Sequence, residues 1–169
     1  KKKLINIIVE SSIGGICRIK LNEPSTYNAL STNTLKSLVK AFKKINGDDK
    51  TKVVIIEGLG KGFCGGHNLR EISSLKKKSN YKKLFNLCSK LMLEIIEAKK
   101  PVIAKVHGAA FAAGCQLVAS CDLAISSDDA IFATPGVNIG LFCSTPMVAV
   151  SRKINKKQMM KMLLTGDPI

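Results

Sequence analysis

The chain has 169 residues, 46% of them hydrophobic, which is enough to bury the core of one domain. Its apolar runs are short and interrupted by Lys, Gly or polar residues, which excludes a transmembrane helix. The net charge of +15 comes from 24 Lys and 3 Arg against 12 acidic residues, and because the lysines are scattered it selects neither nucleic acid nor a membrane as partner.

The N-terminal third is predicted to form a hairpin, a helix and a buried strand. Residues 4–9 and 16–21 are rich in β-formers and predict two strands joined across a Gly-Gly pair. Ser31 can cap a helix with apolar residues every three to four positions, and β-branched residues 53–56 predict a buried strand. Five glycines between positions 58 and 66 predict a loop of close main-chain approach. The apolar face of the helix is Leu35, Leu38, Val39, Phe42 and Ile45, and Gly47 can end it.

The rest of the chain continues the alternation of helices and strands. A helix is predicted over residues 81–98, with Leu84, Phe85, Cys88, Leu91, Met92, Ile95 and Ile96 on one face and Pro101 beyond its end. A strand at 102–106, a small-residue segment at 110–121, a strand at 123–125, an extended segment at 130–134, and helices at 145–152 and 156–164 follow. This order predicts an α/β fold with right-handed crossovers, organised as one domain over residues 1–169.

Cysteine usage argues against a metal site. The six cysteines include no C-x-x-C pair and the two histidines are not grouped with them, so we predict no zinc. Five of them lie in apolar surroundings and are predicted to be small core residues, which fits a reducing, intracellular location. These five are Cys17, Cys88, Cys115, Cys121 and Cys143.

Four sequence blocks stand in a characteristic order. They are Leu-Asn-Glu-Pro at 21–24 with Asn-Ala-Leu-Ser at 28–31; Gly-Phe-Cys-Gly-Gly-His-Asn-Leu-Arg-Glu at 62–71; Lys-Pro-Val-Ile-Ala at 100–104 with His-Gly at 107–108, Ala-Gly-Cys at 113–115 and Cys-Asp at 121–122; and Phe-Ala-Thr-Pro-Gly-Val at 132–137 with Gly140. In this order and spacing they resemble the enoyl-CoA hydratase/isomerase (crotonase) family over nearly the whole chain. Segments 112–117 and 134–138 are most similar to one particular branch of that family.

The resemblance implies a crotonase-like fold, a spiral of repeated ββα units. In the family, C-terminal helices close the acyl pocket and help to form trimers. The chain stops at Ile169, near where those helices should begin, so we expect it to lack this trimerisation region and to expose apolar surface. A homotrimer or hexamer is implied for a full-length protein, with a mitochondrial or otherwise cytoplasmic location.

The family's shared step, by resemblance, is stabilisation of a thioester enolate by two main-chain N–H groups, an oxyanion hole. The donors implied here are the amides of His67 and Ala113. Glycine is typical at position 113, and if that position needs a positive φ, alanine costs roughly 1–2 kcal/mol. Coenzyme A enters as part of the substrate, with no further cofactor and no metal. The implied CoA contacts are Ser25, Thr26, Tyr27, Gly65, Gly66, His67, Asn68 and Leu69.

Hydration of an enoyl thioester requires two carboxylates, one to deprotonate water and one to hand over a proton. The family positions for these acids hold Gln116 and Gly136 here, and a position that some isomerases fill with Asp holds Asn138. Because none of these residues is a base near neutral pH, we do not expect efficient hydratase activity.

Four other reactive side chains receive structural roles in this prediction. Asp122 is expected to support a strand start, His107 to be a satisfied turn residue and Cys64 to be packing. The His67 ring has the chemistry of an acid or base near pH 7. We expect that ring to face solvent, with only the main chain of His67 used.

Three functions are compatible with these residues: an acyl-CoA enzyme whose base is His67 or lies outside the chain, a non-catalytic acyl-CoA-binding or scaffold protein, and an RNA-binding protein. One branch of the family binds RNA through lysines on its first helix, and the chain has a partial match, with Thr32 in the first position. An ordinary solvated face is the favoured explanation of that match. The same holds for a second basic stretch that could meet CoA phosphates. The lysines concerned are Lys36, Lys40, Lys43 and Lys44, and then Lys76, Lys77, Lys78, Lys82 and Lys83.

Overall fold

The fold is built on a five-stranded sheet, seen in a computed structural model that describes residues 6–11 and 14–169. The strand order is β1-β2-β3-β4-β6; β1 pairs antiparallel with β2, and the remaining neighbours pair parallel. A separate pair, β5 and β7, is also parallel. The predicted hairpin and α/β order are therefore confirmed. The bounds are β1 Ile7–Ser11, β2 Ile16–Leu21, β3 Val53–Gly58, β4 Val102–Val106, β5 Ala109–Phe111, β6 Leu123–Ser126 and β7 Ile131–Ala133.

The described residues form six α-helices. They are α1 Thr32–Asn46, α2 Leu69–Ser74, α3 Lys78–Ile96, α4 Ala113–Ser120, α5 Ser144–Val150 and α6 Lys156–Thr165. The α1 helix begins where predicted because Ser31 Oγ accepts the N–H of Thr34 at 3.2 Å. Alternate residues of the central strands share one core cluster with the apolar faces of α1 and α3. Within the described residues, no helix has the length and apolarity needed to cross a membrane.

Several predicted boundaries were wrong for physical reasons. The long helix begins at Lys78 rather than residue 81, because its first turn is polar and carries no apolar pattern. Ile96, assigned to its buried face, is 54% exposed. The small-residue segment at 110–121 contains the end of β5 and all of α4, and α2 was not predicted as a separate helix. The first strand starts at Ile7, and the predicted part at residues 4–5 lies outside the described residues.

Apolar surface is exposed at one edge of the sheet, as expected. Leu123 and Ile125 of β6 are 60% and 63% exposed. A second exposed apolar group follows β7 and consists of Ile139, Leu141 and Phe142. Apolar patches of this kind commonly mark surfaces that another chain segment or subunit covers.

Lys100 closes the C-terminal end of α1 from a distant part of the chain. Its Nζ donates to the carbonyl oxygens of Ile45 and Asp48 at 2.8 and 2.7 Å. A cation bound to the last carbonyls of a helix also interacts favourably with the helix dipole. We expect Lys100→Met to lower the free energy of unfolding by about 1–2 kcal/mol in urea titrations. The neighbouring exposed Lys99, changed to Met, is the control, and an equal loss in both variants would contradict this role.

Candidate functional site

A cleft of about 650 Å³ opens between the loop that precedes α1 and the glycine-rich loop that follows β3. The start of α2 and residues of β5 and β7 complete its walls. Seven of the eight residues predicted to contact CoA line the cleft, and Gly66 is the exception. The structure therefore gathers most of the predicted ligand residues at one place. The seven are Ser25, Thr26, Tyr27, Gly65, His67, Asn68 and Leu69.

Asn28 joins the two main walls of the cleft. Its side chain is 1% exposed, and Nδ2 donates toward the carbonyl oxygens of Leu59, Gly62 and Phe63 at 2.9, 3.0 and 3.2 Å. Its Oδ1 accepts the N–H of Glu23 at 2.9 Å. The φ of Asn28 is +53°, a left-handed conformation that asparagine tolerates better than most residues. One buried amide thus ties the loop before α1 to the glycine-rich loop.

The peptide unit between Gly66 and His67 has a defined orientation. The carbonyl oxygen of Gly66 accepts the N–H of Leu30 at 2.7 Å. In a trans peptide the C=O and N–H point in opposite directions, so the N–H of His67 is directed away from Leu30. A Cβ built on Gly66 would lie 3.3 Å from the main-chain nitrogen of Ala113. The amides of His67 and Ala113 therefore belong to chain segments in direct contact.

Both amides are available to a ligand. Neither donates to an acceptor within the described residues. Ala113 is the first residue of α4, so its N–H has no partner within that helix, and Ala112 before it supplies no side-chain cap. A helix N-terminus also favours negative charge. Two uncommitted donors beside it form an arrangement suited to an oxyanion.

Backbone strain lies one residue before the predicted position. Ala112 has φ +50° and ψ −115°, whereas Ala113 is already helical. The condition of a positive φ therefore does not apply to Ala113, because the sharp turn from β5 into α4 is made at Ala112, whose N–H donates to Ala133 O at 2.8 Å. Such a sparsely populated backbone conformation costs an alanine on the order of 1–3 kcal/mol. Such strain beside uncommitted donors is typical of functional sites.

The three positions at which the resemblance implies acids do not line the cleft, and no Asp or Glu is among the described residues that do. Gln116 is 7% exposed, and its buried Oε1 has no hydrogen-bond partner within the part of the chain that the structure describes. Gly136 is packed so tightly that a Cβ there would lie 2.2 Å from Leu141 O and 2.8 Å from Cys143 Sγ. Asn138 lies against Gly166, where an added Cβ would be 2.9 Å from its Nδ2.

The ring of His67 is enclosed, so the expectation that it faces solvent was wrong. Its Nδ1 lies 3.3 Å from Leu30 O, and its centroid is 5.4 Å from that of Phe85 in an edge-to-face arrangement. Its Nε2 is buried and has no hydrogen-bond partner among residues 6–11 and 14–169. Burial lowers the pKa of His67, and the Leu30 hydrogen bond and the charge of Glu71 oppose this shift only in part.

The other reactive side chains have the structural roles predicted for them. Asp122 Oδ2 accepts the N–H of Val102 at 2.8 Å and so supports the start of β4 beside β6. His107 Nε2 lies 2.8 Å from Gly60 O. Burial raises the pKa of the Cys64 thiol to about 12, which makes it a poor nucleophile. All six cysteines are buried and free, as predicted for packing residues.

Two cationic residues of the cleft were missed by the sequence reasoning. Lys61 and Arg70 line it, and both are exposed. Each lies beside or within the glycine-rich motif, but charges in a loop have no periodicity that would assign them to a site. The basic stretch from Lys76 to Lys83 contributes nothing to the lining. The α1 lysines (Lys36, Lys40, Lys43 and Lys44) are all exposed, which fits a solvated face.

Comparisons with known proteins agree with the fold and sequence blocks. The sequence model described as Enoyl-CoA hydratase/isomerase matches residues 11–169. Enoyl-CoA hydratase domain-containing protein 3, mitochondrial, is 49% identical to the chain in Danio rerio and 47% in Homo sapiens. The alignments cover 92% and 93% of the chain but 54% and 52% of those proteins, so the chain spans about half the length of these curated relatives. This is the branch that segments 112–117 and 134–138 resemble, so that prediction is confirmed.

Solved structures give the same result at the level of the fold. An enoyl-CoA hydratase from Mycobacterium smegmatis superposes with a TM-score of 0.96 at 44% identity, covering 98% of the chain and 64% of that structure. The human enoyl-CoA hydratase domain-containing protein 3 gives a TM-score of 0.93 at 44% identity, covering 98% of the chain and 65% of that structure. The implied crotonase-like architecture is therefore confirmed.

Proposed function

Because the chain belongs to the enoyl-CoA hydratase/isomerase family, we propose that it binds an acyl-CoA thioester in the cleft and stabilises negative charge on the thioester oxygen. The donors are the main-chain N–H groups of His67 and Ala113. The observation that carries the proposal is the contact between their two chain segments, which leaves both amides uncommitted beside the start of α4. Such preorganised donors are commonly the largest single contribution to enolate stabilisation.

The charge of the cleft supports a phosphorylated ligand. Lys61 and Arg70 are the cationic residues among its described lining, and no lining carboxylate opposes them. Ammonium and guanidinium groups at a cleft margin attract the phosphates of coenzyme A. The small residues Gly65, Gly108 and Ala109 of the same lining leave room for an extended pantetheine arm along the main chain.

The missing acids restrict what the site does with a bound thioester. A general acid or base typically contributes about 10²–10⁴-fold in rate, and an amide at 116 with a glycine at 136 supplies neither. We therefore propose thioester binding and oxyanion stabilisation without efficient hydration. A non-catalytic acyl-CoA-binding or scaffold role is the alternative, and a turnover screen with enoyl-, malonyl- and hydroxyacyl-CoA separates it from an enzyme.

The family relationship also supports proposals for the location and the assembly of the whole protein. The curated relatives are named mitochondrial proteins, which supports a mitochondrial location. A homotrimer or hexamer of the whole protein is proposed by family resemblance, and the exposed Leu123 and Ile125 on β6 support an interface there.

Binding of acetyl-CoA, measured by isothermal titration calorimetry, tests the proposed function. We expect measurable affinity at pH 7.5 that weakens with salt, and a loss of about 3- to 10-fold in Arg70→Gln or Lys61→Gln, because each removes a charge-assisted contact. Lys90, exposed on α3 and outside the cleft, is changed to Gln as the control. Absence of binding, or an equal loss in the control, would overturn the proposal.

A further inference from the structure

The side chain of His67 is held on two sides by neutral groups. The carbonyl oxygen of Leu30 lies 3.3 Å from its Nδ1, and the Phe85 ring of α3 packs against it at 5.4 Å and 89°. Its Nε2 is buried, and no described residue forms a hydrogen bond with it. This imidazole belongs to a residue whose own amide is a candidate oxyanion donor, yet the proposed function makes no use of the ring.

These contacts select one protonation state. A carbonyl oxygen only accepts, so Nδ1 carries the hydrogen and donates it to Leu30 O. A second proton would have to sit on Nε2, for which the described residues offer no acceptor, and it would create a buried charge. The charged group that acts on the ring is Glu71 of α2, whose Oε2 is already bound to the N–H of Thr32 at 2.9 Å.

Leu30 is bonded to this short segment at two points. Its N–H donates to Gly66 O at 2.7 Å, and its carbonyl oxygen accepts from the His67 ring at 3.3 Å. The first bond sets the plane of the peptide between Gly66 and His67, and the second anchors the residue that follows that peptide. Rotation of this peptide would break the first bond and change the φ of His67, whose side chain the second bond holds, so the two bonds together oppose it.

We propose that the neutral His67 imidazole is a positioning residue, which anchors its own main-chain N–H in the orientation needed by a thioester oxyanion and releases it when the ring is protonated. The inference rests on the proposed function and adds a pH-sensitive support to the same site. The direction of the pH dependence follows from the burial of the ring. Since the folded state favours the neutral ring, the support is fully present above pH 6.5 and is lost as the pH falls through the lowered pKa of the folded state.

Two substitutions separate anchoring from titration. His67→Asn places an amide nitrogen near the position of Nδ1, so it keeps a donor for Leu30 O but cannot titrate. We expect it to bind acetyl-CoA at pH 7.5 within about twofold of the wild type, while His67→Ala binds about fivefold more weakly because the anchor is gone. As the pH falls from 7.5 toward 5.0 the wild type should progressively lose affinity that His67→Asn keeps, up to the roughly fivefold that removal of the anchor costs, and titration of the CoA phosphate cancels in that comparison.

The chain contains only two histidines, which provides a matched control. His107→Asn, which changes the ring bonded near Gly60, should keep the wild-type pH profile. In the wild-type chain, nuclear magnetic resonance titration of the residue 67 amide should show a midpoint below pH 6.5. A pH-invariant amide, or identical pH profiles for wild type and His67→Asn, would refute the positioning role alone. Failure of the wild type to bind acetyl-CoA at any pH would instead remove the proposed function, and the positioning role with it.

Discussion

Asn28→Ala is expected to lower the free energy of unfolding by about 3–4 kcal/mol and to weaken acetyl-CoA binding more than tenfold. The substitution removes the Nδ2 donor from three carbonyl oxygens and the Oδ1 acceptor from the N–H of Glu23. It also places alanine at φ +53°, which asparagine tolerates better. Because these bonds join both walls of the cleft, stability and ligand affinity should fall together.

Urea denaturation and calorimetry measure the two losses. Asn33→Ala is the matched control, because Asn33 is exposed on the first turn of α1 and the chemical change is identical. Its stability should stay within about 0.5 kcal/mol of the wild type, as for most surface substitutions. If Asn28→Ala instead behaved like Asn33→Ala, the buried amide could not be what holds the cleft walls.

Restoring both acids at the family positions is expected not to restore hydration. The Gln116→Glu/Gly136→Glu variant should show no gain in crotonyl-CoA hydration, and it should lose about 2–3 kcal/mol of stability from overpacking. A Cβ at residue 136 would lie 2.2 Å from Leu141 O, so the main chain after Gly136 occupies the space that a second acid requires. An acidic side chain at position 136 therefore requires the main chain around Leu141 to move.

Hydration is followed by loss of the enoyl absorbance, and stability by urea titration. Gly47→Ala is the control for stability, because a Cβ there approaches no atom closer than 3.8 Å. The contrary result is a double variant that folds with unchanged stability and hydrates crotonyl-CoA at least about 100-fold faster than the parent. It would show that the main chain around Gly136 can move aside and that only the acids were missing.

The sequence predicted most of the elements but missed the start of α3 and the turn into α4. Val54 and Ile56 indicated a buried strand through β-branched composition, and the Ser31 cap and apolar spacing located α1. The start of α3 was not predicted, because Lys78 and the polar residues after it show no apolar periodicity. The strained turn at Ala112 was not predicted, because position 112 does not hold glycine, the usual signal of a positive φ.

The site was predictable where a contiguous motif describes it and unpredictable where distant segments meet. Loop residues such as Thr26 and Asn68 were placed at the cleft by resemblance, and the structure gathers them there. The enclosure of the His67 ring depends on Phe85, which is 18 positions further along the chain in another helix. The tight packing at Gly136 likewise depends on how the loop containing Leu141 folds back against it, which no local sequence pattern encodes.

A structure of the chain with acetyl-CoA tests the central claim most directly. The thioester oxygen should lie about 2.7–3.1 Å from the main-chain nitrogens of both His67 and Ala113, with the phosphates toward Lys61 and Arg70. A thioester bound outside this cleft would contradict the account. So would a peptide between Gly66 and His67 that is rotated to present its carbonyl oxygen instead of the N–H.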